Sequence, residues 1–234
     1  MLKQCLLIFC AALSLPSHVQ ATEFKVDLIQ LEPWAMHNPD PNSAAPFVGI
    51  IVELLDEFEQ RSGHTSIRAL TPYARVEAHL QQGVVDFALM AWGDARASYA
   101  NRGTLLHPLV FGVRALKGIK LNSYADLSQI TTSATRGLKI DPVFDADSSL
   151  KKDLVLNYTM GVEKTLLNRD SQAIAGSLSS INYIIKQHHG QDKFGDTLIL
   201  NNTFLAWPIR RKRKISRPRP RSTRYSKPWS TTAP

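Results

Sequence analysis

The apolar patterning predicts an α/β chain built as two units in series, each a mostly parallel sheet flanked by helices. Three observations carry this. Strand and helix periods alternate between residues 24 and 90, the alternation restarts after residue 129, and glycines stand where helices should begin or end.

Phe24 to Leu31 reads as the first strand, with Lys25 and Asp27 facing away from Val26 and Leu28. Glu32, Pro33 and Trp34 end it, and Asn38 to Ser43 is a loop dense in Asn, Asp and Pro. Gly49 then opens a helix whose Ile51, Leu54, Leu55 and Phe58 recur at i, i+3, i+4, i+7, and Ser62-Gly63 stops it. Ile67 to Leu70 is a second strand, residues 74 to 82 a helix closing on Gly83, and Val84 to Met90 a third strand. A βαβαβ order of this kind takes right-handed crossovers and a parallel sheet. Open sheets bind ligands beyond the carboxyl ends of their strands. Here those ends are Glu32 to Trp34, Thr71 to Tyr73 and Ala91 to Arg96.

The second unit starts with a strand over Gln129 to Thr135 and a turn at Arg136-Gly137. A helix over Val143 to Lys152, a strand over Leu154 to Tyr158, a helix over Val162 to Leu167 and a strand over Gln172 to Ala175 follow. Ser180 suits the cap of a helix carrying Ile181, Ile184, Ile185 and His188, ended by Gly190. Asp196 to Leu200 is the last strand. The chain should cross between the units near residues 112 to 118 and 195 to 203, which gives a first lobe over 22–112, a second over 113–198 and a return over 199–208.

Both termini stand apart from this pattern. Lys3, the apolar run Leu6 to Leu15 and the small-residue site at Val19-Gln20-Ala21 read as a cleaved secretory signal over residues 1–21, which implies a periplasmic location. The run is shorter than the roughly 20 residues a membrane span needs. Both cysteines, Cys5 and Cys10, fall inside it, so the remainder relies on its apolar core and not on disulfides. The formal charge of +8 is also local. Ten of the 28 Lys and Arg residues lie in 210–234, which has no acid, leaving 18 against 20 acids elsewhere, a balance of −2. From Ile209 the sequence loses apolar periodicity and reads as a basic, disordered tail. Its codons permit a change of reading frame near Pro208, on which reading the chain is a remnant without a closing C-terminal helix.

The order of Gly49, Gly83, the strand after it and Gly93-Asp94-Ala95-Arg96-Ala97-Ser98-Tyr99-Ala100, followed by Pro108-Leu109, resembles the first lobe of bacterial extracellular solute-binding proteins of family 3. The likeness covers residues 22 to 208 and extends to the C-terminal helix that a shifted frame would encode. It implies the type II periplasmic-binding-protein fold, and a protein that captures a ligand for a transporter or sensor and is not an enzyme.

Arg96 is the leading candidate, because a guanidinium forks onto a carboxylate through two charge-assisted bonds. Trp34 and Trp92 follow strands at the binding edge and could cover a ligand with an aromatic face. Tyr73 and Arg75 resemble the family's segment before its second helix. Arg136 and Gly137 match an element that holds anionic ligand atoms in family members, with Leu138 replacing the hydroxyl residue. Ser177 stands where amino-acid binders carry an Asp for the ligand's ammonium, which argues against a standard α-amino acid.

No nucleotide-binding, metal-protease or nucleophile-elbow motif is present, and His188-His189 lacks companions for a metal site. The expected partners are therefore a small polar ligand, a carboxylated one suiting Arg96, and a membrane permease or sensor. No cofactor, metal, catalytic residue or nucleic acid is expected, and the protein should be a monomer. A dehydratase-like cleft enzyme of the same fold is the alternative.

Overall fold

A computed structural model describes residues 21–211. The signal segment up to residue 20 and the basic tail from residue 212 lie outside the described residues. Among those described, no helix is long and apolar enough to cross a membrane.

In the first lobe the parallel strands β1 (Glu23–Ile29), β4 (Thr65–Thr71) and β5 (Phe87–Ala88) alternate with α1 (Ile50–Ser62) and α2 (Tyr73–Gln82). A short antiparallel pair, β2 (Met36–His37) and β3 (Phe47–Val48), lies between β1 and α1, and β6 (Met90–Ala91) follows β5. Both helices end where expected, on Gly63 and Gly83 in the left-handed conformation. Gly49 opens α1 against the Pro33–Trp34 backbone: a Cβ there would lie 2.6 Å from the Trp34 carbonyl oxygen. This approach lets the Pro33 and Trp34 carbonyls accept from Ile50 and Ile51 N–H, satisfying a helix start that has no side-chain cap.

The second lobe contains β8 (Thr131–Thr135), α3 (Pro142–Ala146), β9 (Lys151–Val155), α4 (Tyr158–Leu166), β10 (Ala173–Ser177) and α5 (Leu178–Gln187). Here β10, β8 and β9 pair in parallel. The two lobes share one nine-stranded sheet, because β7 (Ala100–Leu116) and β11 (Phe194–Arg210) are 17-residue strands paired antiparallel across both.

Several expectations are corrected. The helix expected over Val143 to Lys152 ends at Ala146, because Asp147 turns back to accept from the Ser149 N–H and hydroxyl, and Lys151 already begins a strand. The strand expected through Tyr158 stops at Val155, and Asn157 caps a helix that Tyr158 opens. Ser180 is not a cap but a buried residue inside α5. The last strand is far longer than Asp196 to Leu200. It runs through Ile209 and Arg210, where the tail was expected to begin, and Arg210 Nη2 reaches Asp86 at 2.9 Å.

The largest apolar core runs through both lobes, from Val26, Leu28 and Leu55 to Phe144, Ile174 and Ile184. A smaller cluster under α2 holds Ile29, Val76 and Leu80.

Candidate functional site

A cleft of about 1310 Å³ opens between the lobes. Its first wall comes from α2 and the 3-10 turn Asp94–Ser98, its second from residues 137–146, and Phe111, Asn201 and Thr203 of the long strands form its floor.

Arg96 lies in the first wall, but it is 6% exposed and committed to its own chain. Nη1 donates to the Ala91 carbonyl at 2.6 Å, and Nη2 donates to the Tyr73 hydroxyl at 2.7 Å and to Glu77. The second Glu77 oxygen accepts from the Tyr99 hydroxyl. Loss of water around the buried guanidinium opposes its charge, and the neighbouring Tyr73 and Glu77 outweigh that, so its pKa stays above the ordinary value. Tyr73 is raised by burial. Tyr99 is pushed up to about 12 by burial and by its bond to Glu77. Glu77 belongs to no motif in the sequence. Its partner lies 19 residues away, and its spacing on α2 gives no sign of the pairing.

Trp92 lines the same wall, its Nε1 donating to Asp94 at 3.3 Å. Gly137 faces α2 from the other lobe with φ 79°, so close that a Cβ would come within 3.0 Å of the Ala74 Cβ. Tyr73, Trp92, Arg96 and Gly137 therefore meet at the cleft.

The remaining candidates lie elsewhere. Arg75 and Arg136 are exposed and do not line the cleft. Trp34 is 7% exposed and spans the lobes, Nε1 donating to Ser180 at 3.1 Å. Trp34 and Ser177 border a separate apolar void of about 30 Å³, which shares Tyr73, Ala91 and Phe111 with the cleft.

Lys139, Asp141 and Asp145 line the second wall, and no motif in the sequence marks them. Asp141 caps α3, accepting from Val143 and Phe144 N–H at 2.9 and 3.0 Å. Asp145 accepts from Ile140 N–H at 3.1 Å, and burial holds its pKa above the ordinary 3.8. Among the described residues no group of three His, Cys, Asp or Glu is placed to hold a metal ion.

No protein-family model and no curated protein matches the chain. Solved structures do. A putative binding component of an ABC transporter from Wolinella succinogenes, complexed with lysine, aligns over 84% of this chain and 85% of its own at TM-score 0.69 and 17% identity. The chain has the two-lobed α/β fold of periplasmic binding proteins. An ancestral arginine-binding protein bound to arginine aligns at TM-score 0.66 and 14% identity, over 80% of this chain and 84% of its own. A histidine kinase sensor domain with similarity to periplasmic binding proteins aligns at TM-score 0.69 and 13% identity, covering 82% of each chain.

Proposed function

We propose that this chain is a periplasmic solute-binding protein that captures a small polar solute between its lobes and presents the closed form to a membrane transporter or sensor. The observation that carries this reading is the inter-lobe cleft, walled by residues from both lobes and floored by the strands that join them. A solute touching both walls favours the conformation in which they are close, and the shift in population is the signal. This requires positioning and charge, not covalent chemistry. The neighbours support the reading: two hold lysine or arginine, and one is a sensor domain.

Within this reading Tyr73, Trp92, Arg96 and Gly137 contact the solute, and Trp34 and Ser177 act at the lobe contact behind it. Arg75 and Arg136 would reach the cleft only through side-chain movement. A carboxylated solute would have to compete with Glu77 for Arg96. The direct test is a thermal-shift and calorimetric screen of the full chain against amino acids, organic acids, amines and sugars. Saturable binding accompanied by a concentration-dependent rise in melting temperature is expected for one class. A cooperative melt unmoved by every class would refute capture.

A further inference from the structure

We infer that the cleft selects a cationic amine or guanidinium compound lacking a carboxylate, and that Glu77 sets this selectivity. The inference rests on the capture reading above and names its ligand class.

The Nη donors of Arg96 are already occupied. Arg96 is the guanidinium a ligand carboxylate would seek, and Glu77 and Tyr73 already share its Nη2 while the Ala91 carbonyl takes Nη1. Glu77 is held in turn by Tyr99. A ligand carboxylate would have to displace a carboxylate of the same chain, which is tethered beside Arg96 and gives up no translational freedom to stay there. Breaking the pair would also leave one charge stranded, since the Arg96 side chain is 7% exposed and that of Glu77 25%.

The charge that remains in the cleft is negative. With Glu77 and Arg96 cancelling, Asp94, Asp141 and Asp145 line the cleft against Lys139, three negative charges to one positive. Asp141 and Asp145 accept backbone N–H groups, which satisfies hydrogen bonding without neutralising charge. Lys139 and Lys152 oppose the rise in the Asp145 pKa and Asp141 adds to it, yet burial prevails and the carboxyl stays above its ordinary value. A cation seated beside it would relieve that. Trp92, bonded to Asp94, adds an aromatic side chain to the same cleft, of the kind that attracts cations.

Calorimetry of the full chain with two matched pairs, agmatine against arginine and cadaverine against lysine, isolates the carboxylate, with glutarate as the acid control. The decarboxylated member should bind about tenfold tighter in each pair, the cost of a carboxylate facing an occupied partner and an acidic wall. Glu77→Gln leaves the Arg96 charge uncancelled and should shrink the preference to about threefold or less. Asp145→Asn keeps an acceptor for Ile140 N–H, and should weaken amine binding about tenfold by removing one charge. It also provides a second variant should Glu77→Gln fold poorly. Equal or tighter binding of the amino acids, or preference for glutarate, would overturn the selectivity and leave solute capture standing. Binding of neither pair by a chain that melts cooperatively would also overturn it, and silence across the wider screen would remove capture as well.

Discussion

The two walls of the cleft handle charge differently. In the first, the buried guanidinium of Arg96 is enclosed by Glu77, Tyr73 and Tyr99, and the cluster is balanced within itself. In the second, Asp141 and Asp145 accept only backbone N–H groups, and their two charges face the single Lys139 of that wall. The lesson is a division of labour. The Arg96 cluster contributes rigidity and shape, whereas the carboxylates outside it, Asp94 of the first wall included, leave charge facing the cleft, and for the half-buried Asp145 that charge costs stability.

Glu77→Ala should give the greatest loss of stability. Stranding the Arg96 charge should cost about 3 kcal/mol, the low end for a buried pair because Glu77 is partly exposed. Urea denaturation measures it, and combining the change with Arg96→Ala should recover part of the loss. Strict additivity of the two would show that the pair is not a unit.

Gly137→Ala comes next. Its φ of 79° disfavours a Cβ by about 1–2 kcal/mol, and that Cβ would press on Ala74 across the cleft. Both stability and ligand affinity should fall. Adding Ala74→Gly should restore affinity while leaving the backbone strain, separating contact from conformation.

Trp34→Phe removes the inter-lobe bond to Ser180 and should cost about 1 kcal/mol by denaturant titration. Ser180→Ala in that background should add little, since the partnership is already gone.

Asp145 sharpens the contrast through pH. Its folded pKa is raised above 3.8, so the folded protein holds this proton more tightly than the unfolded chain. The group's contribution is therefore best at low pH and is lost as pH rises through the folded value. At neutral pH Asp145→Asn should slightly raise the melting temperature while weakening amine binding, and the advantage should vanish in acid. A lowered melting temperature at neutral pH would contradict the division between the walls.

The smallest effect is expected at the exposed edge, where Arg210 pairs with Asp86 at 2.9 Å and both side chains are about one-third exposed. Arg210→Gln should cost under about 1 kcal/mol, diminishing with salt. That value is the reference for an ion pair in the open.

Much of the first lobe is legible in the sequence because its signals are local. The periodicity of α1 locates the helix, although Leu54 is exposed and Val52 is buried in its place, and Gly63 and Gly83 mark the helix ends. The strands β7 and β11 are less readable. Their buried and exposed residues do not alternate, since each strand passes from one lobe to the other and its inside changes along the way. The second wall was hidden for another reason: a turn made by one side chain, Asp147, separates α3 from β9 within a stretch whose apolar spacing suits one helix. Trp92, Arg96 and Gly137 could be placed from their positions after strands. Glu77 could not, because a charge on a helix carries no one-dimensional mark of the cation it will meet.

The pairing of β7 with β11 has a thermodynamic consequence. Each 17-residue strand belongs to both halves of the sheet, with β5 and β6 beside β11 at one end and β10 beside β7 at the other. Neither half can melt without stripping backbone hydrogen bonds from strands the other half also uses. Two lobes joined in this way should unfold in one transition, and calorimetry should record a single heat-capacity peak whose van't Hoff and measured enthalpies agree.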